Sequence, residues 1–438
     1  MSFYRLASVL ENPATLDVEV LDMTATSVDL DWLISVDDHV VEPGHLWQTW
    51  LPEKYRDRGP KLVVDPDGKG AVWHYLDHTQ RTSGLSATVG RAKNQISPEP
   101  LGYDEMRPGC FDPVARVEDL NQAGILASMT FPTFPAFCGQ TFYRGADKEL
   151  GFACIQAYNN WMVDEWCASA PGRYIPLTLI PLWDMQLAAA EVHRMADKGV
   201  RAFAFSENPE PLGLPTINDP SGYWDPYFRA VAERDGVLCM HVGSSSQIPS
   251  INSNTNFMAN LSWGAVRTSG TMLDWLFSGV FNRIPNLKIS LAEGNIGWIP
   301  YFLERAEQVI DKQRFWFQRG IDFDPGKGSK QQRTDGGGHT IDYLNFDIRQ
   351  TFRDHIYGCF IDDVAGLRNL DLIGEDNVMI ETDYPHSDTT WPDSIKLAHE
   401  RLADKTPEVQ YKLLRGNAER LFGFTPADTA TLPRPEVR

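Results

Sequence analysis

In residues 377–392, NVMIETDYPHSDTTWP, an apolar run (Val378, Met379, Ile380) gives way to a carboxylate at Asp383, and an imidazole, His386, follows three residues later. Pro385 between them excludes a helix and holds both side chains on a turn at the end of the run. Other apolar runs finish in the same kind of residue. Residues 32–36 lead into Asp37-Asp38-His39, where Asp37 and His39 are two apart and point to one side of a strand. Residues 237–241 end on His241, and residues 287–292 run into Glu293. A single strand-end His or Asp is ordinarily a cap or a loop hydrogen-bonder, but several at equivalent ends suit a metal ion. Mixed imidazole and carboxylate donors favour Zn²⁺, Fe²⁺ or Mn²⁺ over the all-oxygen shells of Mg²⁺ and Ca²⁺.

The elements that must position these residues form a regular series. Strands are expected at 32–36, 125–131, 174–180, 200–205, 237–241, 287–292, 357–361 and 377–382. Helices are expected at 116–123, 148–168, 185–198, 223–234, 271–281, 300–314, 364–372, 392–403 and 407–421. Gly124, Gly199 and Gly236 each stop a helix just before the next strand. Eight alternating β and α units predict an α/β fold, a (β/α)8 TIM barrel whose site lies at the C-terminal strand ends. An open doubly wound sheet is the alternative, but no GxGxxG follows the first strand. The expected organisation is an N-terminal arm (1–31), a barrel domain (32–423) with an insertion at 43–112, and a C-terminal tail (424–438). The insertion holds one strand-like piece, 71–76. Residues 322–340, hydrophilic and carrying Gly336-Gly337-Gly338, read as a mobile loop near the mouth.

With the strands counted, the order of these residues resembles that of the amidohydrolase superfamily. The motifs Val36-Asp37-Asp38-His39, Met240-His241-Val242, Ala292-Glu293-Gly294-Asn295 (on to Pro300) and Glu381-Thr382-Asp383-Tyr384-Pro385-His386 are similar to those of its amidohydrolase-2 branch. That branch contains metal-dependent hydrolases and nonoxidative decarboxylases of the aminocarboxymuconate-semialdehyde type. The resemblance implies that Asp37 and His39 are the strand-one ligands, His241 the strand-five ligand, and Asp383 a ligand and proton carrier. Asp37 stands where the family often has the first His of HxH. Glu293 stands where the family has a strand-six His. A carboxylate there cannot donate a hydrogen bond unless protonated, but it can serve as a further ligand. No lysine marks the fourth strand, although Glu207 follows it.

With Glu293 and His386 included, the candidate ligands are Asp37, His39, His241, Glu293, Asp383 and His386, and the candidate catalytic groups are Asp383, Glu293 and His386. The divalent metal (Zn, Fe or Mn) can be mononuclear or dinuclear. The leading expectation is a hydrolase or nonoxidative decarboxylase acting on a small aromatic or apolar carbonyl or carboxylate substrate. The alternatives are a dinuclear nonheme iron oxygenase on the same barrel and a non-catalytic subunit of a hetero-oligomer.

Composition limits the partners. A formal charge of -19 and the lack of a basic cluster argue against nucleic acid. No run approaches the ~20 apolar residues of a membrane span. The start, MSFYRLASVLENPATL, lacks the basic and apolar regions of a signal peptide. Six scattered cysteines without a CxxC pair suit a reducing compartment, so a cytoplasmic protein is expected. Homo-oligomerisation through the arm and the segment 426–438 is expected, and a hetero-oligomer is the other possibility. Gly243-Ser244-Ser245-Ser246 is not a GxSxG elbow, so these serines read as a plain loop, with hydrogen bonding to substrate as the alternative. Glu42 reads as a support for the ligands or as a loop residue. His74 and His78 read as solvent or structural groups.

Overall fold

The computed structural model describes residues 29–64, 70–247, 250–317, 321–324, 329–332 and 341–435. Eight strand positions are occupied: β1 (Leu33–Val40), β2 (Ile125–Pro132), β3 (Tyr174–Ile175 and Leu177–Thr178), β4 (Ala202–Ser206), β5 (Val237–His241), β6 (Lys288–Ala292), β7 (Ile356–Phe360) and β8 (Val378–Ile380). They pair in parallel in sequence order. Almost every residue in them is buried, as expected of parallel strands covered on both faces. The third strand is broken because Pro176 has no N–H for the ladder. Its first piece pairs with β2 and its second with β4.

The ring closes just beyond the last strand. Asp383 N–H donates to Asp37 O at 2.9 Å, and His39 N–H donates to Tyr384 O at 2.6 Å. The seam of the TIM barrel therefore runs through the candidate ligands themselves.

Asp38, between Asp37 and His39, points the other way and locks this seam. Its Oδ1 accepts from Ser35 Oγ (3.0 Å), Thr382 Oγ1 (2.6 Å) and Tyr384 N–H (2.9 Å), while Oδ2 accepts from Ser128 Oγ. Asp38 thus joins β1, β2 and β8 through one buried carboxylate. A second brace comes from the helix Pro113–Ala123, capped by Asp112 and ended by Gly124 at φ 71°. Buried Arg116 on that helix donates to His39 O at 2.6 Å and lies over the Tyr384 ring at 4.1 Å. Tyr384 Oη donates to Asp119 one turn further on.

The strand-like piece expected at 71–76 is the centre of a three-stranded antiparallel sheet, Lys61–Val64, Ala71–Tyr75 and His78–Arg81. The following segment packs Ala87, Val89, Leu101, Met106 and Cys110 onto Val41 and Tyr384 as a small separate core. Thr88 donates to Pro385 O and His386 O, which pins the turn that carries His386. The expected helix 148–168 is α-helical over Lys148–Trp161 and then loosens into wider and tighter turns. The helix expected at 407–421 is interrupted at Lys412–Gly416 in the same way.

Within the stretch expected as a loop, Ile321–Asp324 pairs antiparallel with Ser329–Gln332, and most of the rest lies outside the described residues. Nearly all of the N-terminal arm also lies outside them. Part of the C-terminal segment lies against its own barrel, with Ala427 N–H donating to Gly172 O at 3.0 Å. Among the described residues no helix is long and apolar enough to cross a membrane.

Candidate metal centre

All six residues singled out in the sequence meet at the C-terminal end of the barrel. His241 Nε2 lies 3.2 Å from His39 Nε2, 3.4 Å from Asp37 Oδ2 and 3.4 Å from Glu293 Oε2. His39 Nε2 lies 3.2 Å from Asp383 Oδ1 and 3.6 Å from Asp37 Oδ1. His386 Nδ1 lies 3.0 Å from Asp383 Oδ1, and its ring stacks on His39 with centroids 3.7 Å apart. Asp37, His39 and His241 form one compact group of donor atoms; His39, Asp383 and His386 form another.

The local chain explains this convergence. Asp37 and His39 lie within β1 on one side, and His241 is the last residue of β5. Asp383 sits three residues past β8 at φ 51°, a left-handed conformation that Asp tolerates better than most residues. Glu293, one residue past β6, has φ 55° and stands at the rim, partly exposed. His386 N–H donates to Asp383 O at 2.8 Å, which forms the turn expected from Pro385.

The charges show why this group needs a cation. Both carboxylate oxygens of Asp37 and Oδ2 of Asp383 are buried without a hydrogen-bond donor among the described residues, and Asp383 Oδ1 meets the imidazoles of His39 and His386. Buried polar atoms of this kind are ordinarily partnered, and carboxylate oxygens gathered in one place call for a ligand. Burial, and then the carboxylates of Glu381, Asp383 and Glu293, push Asp37 well above the usual carboxylate range. Burial and the Asp383 and Glu381 charges push Glu293 up as well. Burial alone would raise Asp383, but His386 and His39 overcome it and hold this carboxyl below the ordinary range.

The imidazoles complement the acids. Burial lowers His241 to about 4, and burial together with His386 lowers His39 well below its ordinary value. Both are neutral at pH 7 and keep a lone pair for a metal. His241 Nδ1–H donates to Val242 O at 2.6 Å, which leaves Nε2 facing Asp37, His39 and Glu293. The donor set thus fits a divalent ion.

Several groups do not take part. Glu42 accepts from Thr133 N–H and Phe134 N–H, both at 2.9 Å, and so orders the loop after β2. His74 and His78 are exposed on the small sheet. Glu207 turns to Arg267, Ser245 and Gly243. Ser244 and Ser245 are occupied with that same loop: Ser244 Oγ accepts from Glu207 N–H, and Ser245 Oγ donates to the Glu207 carboxylate.

Other contributors were not singled out from the sequence. Glu381, fully buried, accepts the Glu293 N–H, and its place two residues before Asp383 is the signal that could have found it. Phe137 stacks on His241 with centroids 4.0 Å apart, and Phe131 packs edge-on at 5.1 Å. Nothing in the spacing of the loop that carries Phe137 marks it.

A TIM barrel with imidazoles and carboxylates gathered at its C-terminal mouth defines the general class of barrel metalloenzymes. Residues 44–424 match the amidohydrolase family (Amidohydro_2), and the chain belongs to that family. It is a metal-dependent enzyme of the hydrolase/lyase kind, which sets aside the non-catalytic subunit. A 2-amino-3-carboxymuconate-6-semialdehyde decarboxylase from Dictyostelium discoideum is 23% identical over 329 residues, which span 74% of this chain and 80% of the relative. The crystal structure of an amidohydrolase from Mycobacterium avium subsp. paratuberculosis K-10 superposes with a TM-score of 0.65 at 18% identity, covering 91% of this chain and 99% of that one. A dihydroxybenzoic acid decarboxylase from Polaromonas sp. JS666, with bound manganese and the inhibitor 2-nitroresorcinol, gives 0.52 at 17% identity, covering 90% and 97%.

Proposed function

We propose that this chain is a metal-dependent nonoxidative decarboxylase of a small aromatic carboxylate, with hydrolysis of a carbonyl substrate as the other reaction open to the same site. The observation that carries this reading is the meeting of Asp37, His39, His241 and Asp383, with both Asp37 oxygens buried and without a hydrogen-bond donor among the described residues. The decarboxylases among the relatives, one with bound manganese, support the choice of reaction and of a divalent ion.

Asp37, His39, His241 and Asp383 would hold the ion. When bound, it supplies Lewis acidity to a carboxylate or carbonyl oxygen and acidifies water. Asp383 and His386, in contact at 3.0 Å, would pass a proton to the reacting atom at the mouth. In decarboxylation the bond from ring carbon to carboxylate breaks, its electron pair stays on the ring carbon, and a proton from this pair takes the place of CO2. In hydrolysis Asp383 takes a proton from the attacking water and returns it to the leaving group. Phe131 and Phe137 form an apolar wall against the imidazoles, which suits an aromatic ring and excludes water.

The test is CO2 release from a panel of aromatic carboxylates without oxygen, by chelated protein reloaded with Mn²⁺ or Zn²⁺. Turnover restored by metal and lost in Asp383→Asn supports the proposal; full activity in metal-free protein sinks it. A dinuclear nonheme iron oxygenase is the second reading. Its motive is the closeness of Glu293 to His241 and of His386 to Asp383, which makes six donor side chains available. One ion per chain in fully loaded protein, or turnover that ignores oxygen, removes it.

A further inference from the structure

Between β5 and the helix Ala265–Phe277 the chain makes a long excursion, and two of its properties stand apart from the rest of the molecule. No Asp, Glu, Lys or Arg occurs between Asp235 and Arg267, in a chain of formal charge -19. Within the same stretch Ile251, Phe257, Met258, Leu261, Trp263 and Val266 are 36% to 69% exposed. Large apolar side chains scattered singly on a surface are ordinary, but six together are not.

The six are contiguous. Phe257, Met258 and Leu261 share one side of the helix Phe257–Ser262, which Asn256 caps by accepting from Met258 N–H. Trp263 N–H donates to Ala259 O at 3.0 Å and Val266 N–H to Trp263 O at 3.1 Å, so both follow within a turn. Ile251 N–H donates to Asn260 Oδ1 at 3.2 Å, which brings Ile251 alongside. No residue of the helix is buried. It falls well short of the ~12–15 residues at which an isolated helix is even marginal in water, so it needs its apolar face packed. Among the described residues nothing buries that face.

Charge selects the occupant. Two copies of a chain at -19 repel one another, and least where both present an uncharged surface. In a two-fold contact a residue near the axis meets its own counterpart, so a neutral patch is what avoids facing like charges. A different protein chosen by an acidic chain would be basic and would use carboxylates that this stretch lacks. An anionic lipid surface would repel the molecule as a whole. Depletion of charge together with Phe, Met and Trp is also the composition of an interface core. Side chains of this size and exposure present on the order of 100 Å² each, so the six supply roughly 600 Å² of the ~800 Å² per partner that a stable contact buries.

We propose that the face formed by residues 251–266 binds the same face of a second copy of this chain, as an isologous dimer. Both ends of the stretch are rooted at the rim of the candidate metal centre: Val242 follows His241, and Thr268 packs against Gly294 beside Glu293. The dimer seam therefore borders the mouth on the side of β5 and β6 and uses neither end of the chain.

The experiment is sedimentation velocity of full-length protein between about 1 and 100 µM. Wild type sediments as a dimer whose dissociation constant falls as NaCl rises from about 0.05 to 0.5 M, because screening weakens the repulsion between two acidic bodies and spares a neutral contact. Phe257→Glu combined with Leu261→Glu raises that constant at least about 100-fold, with the circular dichroism spectrum unchanged. Val64→Glu, at a still more exposed apolar position on the small sheet, leaves it unchanged. If the double variant misfolds, Met258→Glu alone gives the same reading. A wild type that stays monomeric overturns the proposal, and capture of that monomer by phosphatidylcholine vesicles would assign the face to lipid instead. A dimer that weakens with salt, or that survives these substitutions, overturns it as well.

Discussion

Asp37 has the clearest signature of a ligand at the scale of single residues, because its carboxylate is costly without a cation. Burial and the nearby acids raise its affinity for a proton above that of the unfolded chain, so at pH 7 keeping this carboxyl inside the metal-free fold costs stability. Chelated Asp37→Asn should therefore melt at a higher temperature than chelated wild type, while Mn²⁺ raises the melting temperature of wild type alone. Equal or lower melting of the chelated variant would contradict this role. Asp383→Asn keeps the shape of the turn but not the proton, so kcat should fall by about 10²–10⁴ under metal saturation. The four central candidate ligands were legible because each stands at or near a strand end, where residue type and position coincide. Glu381 was readable in principle from the period of two. Phe137 was not, because a loop position acquires meaning only when separate strands bring it to the site.

Two buried carboxylates control how the strand ends meet. Asp38 receives three hydroxyls and a backbone N–H from β1, β2 and the segment after β8. Asp38→Ala should cost about 3 kcal/mol by leaving those donors unpaired, and Mn²⁺ affinity should drop by about tenfold because the ligand seam loosens. Urea unfolding and a metal titration check the two effects. Glu42 acts on the loop after β2 and predicts a pH dependence. Burial raises it to about 7 from an ordinary 4.5. Below the lower value it is protonated whether folded or unfolded. As pH rises towards 7 the unfolded chain has released the proton while the folded chain retains it, so stability declines across this window by up to about 3 kcal/mol. Glu42→Gln should flatten that slope in urea unfolding at pH 4.5 to 7; an unchanged slope would rule Glu42 out as its source. The strands themselves were legible from apolar runs between glycine stops. The strand expected unbroken over 174–180 is interrupted, and Pro176 is the residue that could have shown it; the interruptions in two long helices were not expected.

On the scale of the whole molecule, the candidate metal ligands sit at the place where the barrel closes. The backbone bonds between Asp37–His39 and Asp383–Tyr384 join first strand to last, so an ion shared by Asp37, His39, His241 and Asp383 would tie that seam to the opposite wall at β5. Activity and fold stability are then coupled through one ion, with stabilisation of about 2.7 kcal/mol when Mn²⁺ is at 100 times its dissociation constant. The barrel was foreseeable because eight strand and helix units recur in order; the seam was not, since closure depends on residues 345 and 346 positions apart. The most direct test of the central claim is an oxygen-free equilibrium titration of chelated protein with Mn²⁺, in wild type and in His241→Ala. One tightly held ion per wild-type chain and none in the variant is the expected result. A wild type that holds no ion, or a variant that holds it as tightly, would contradict it.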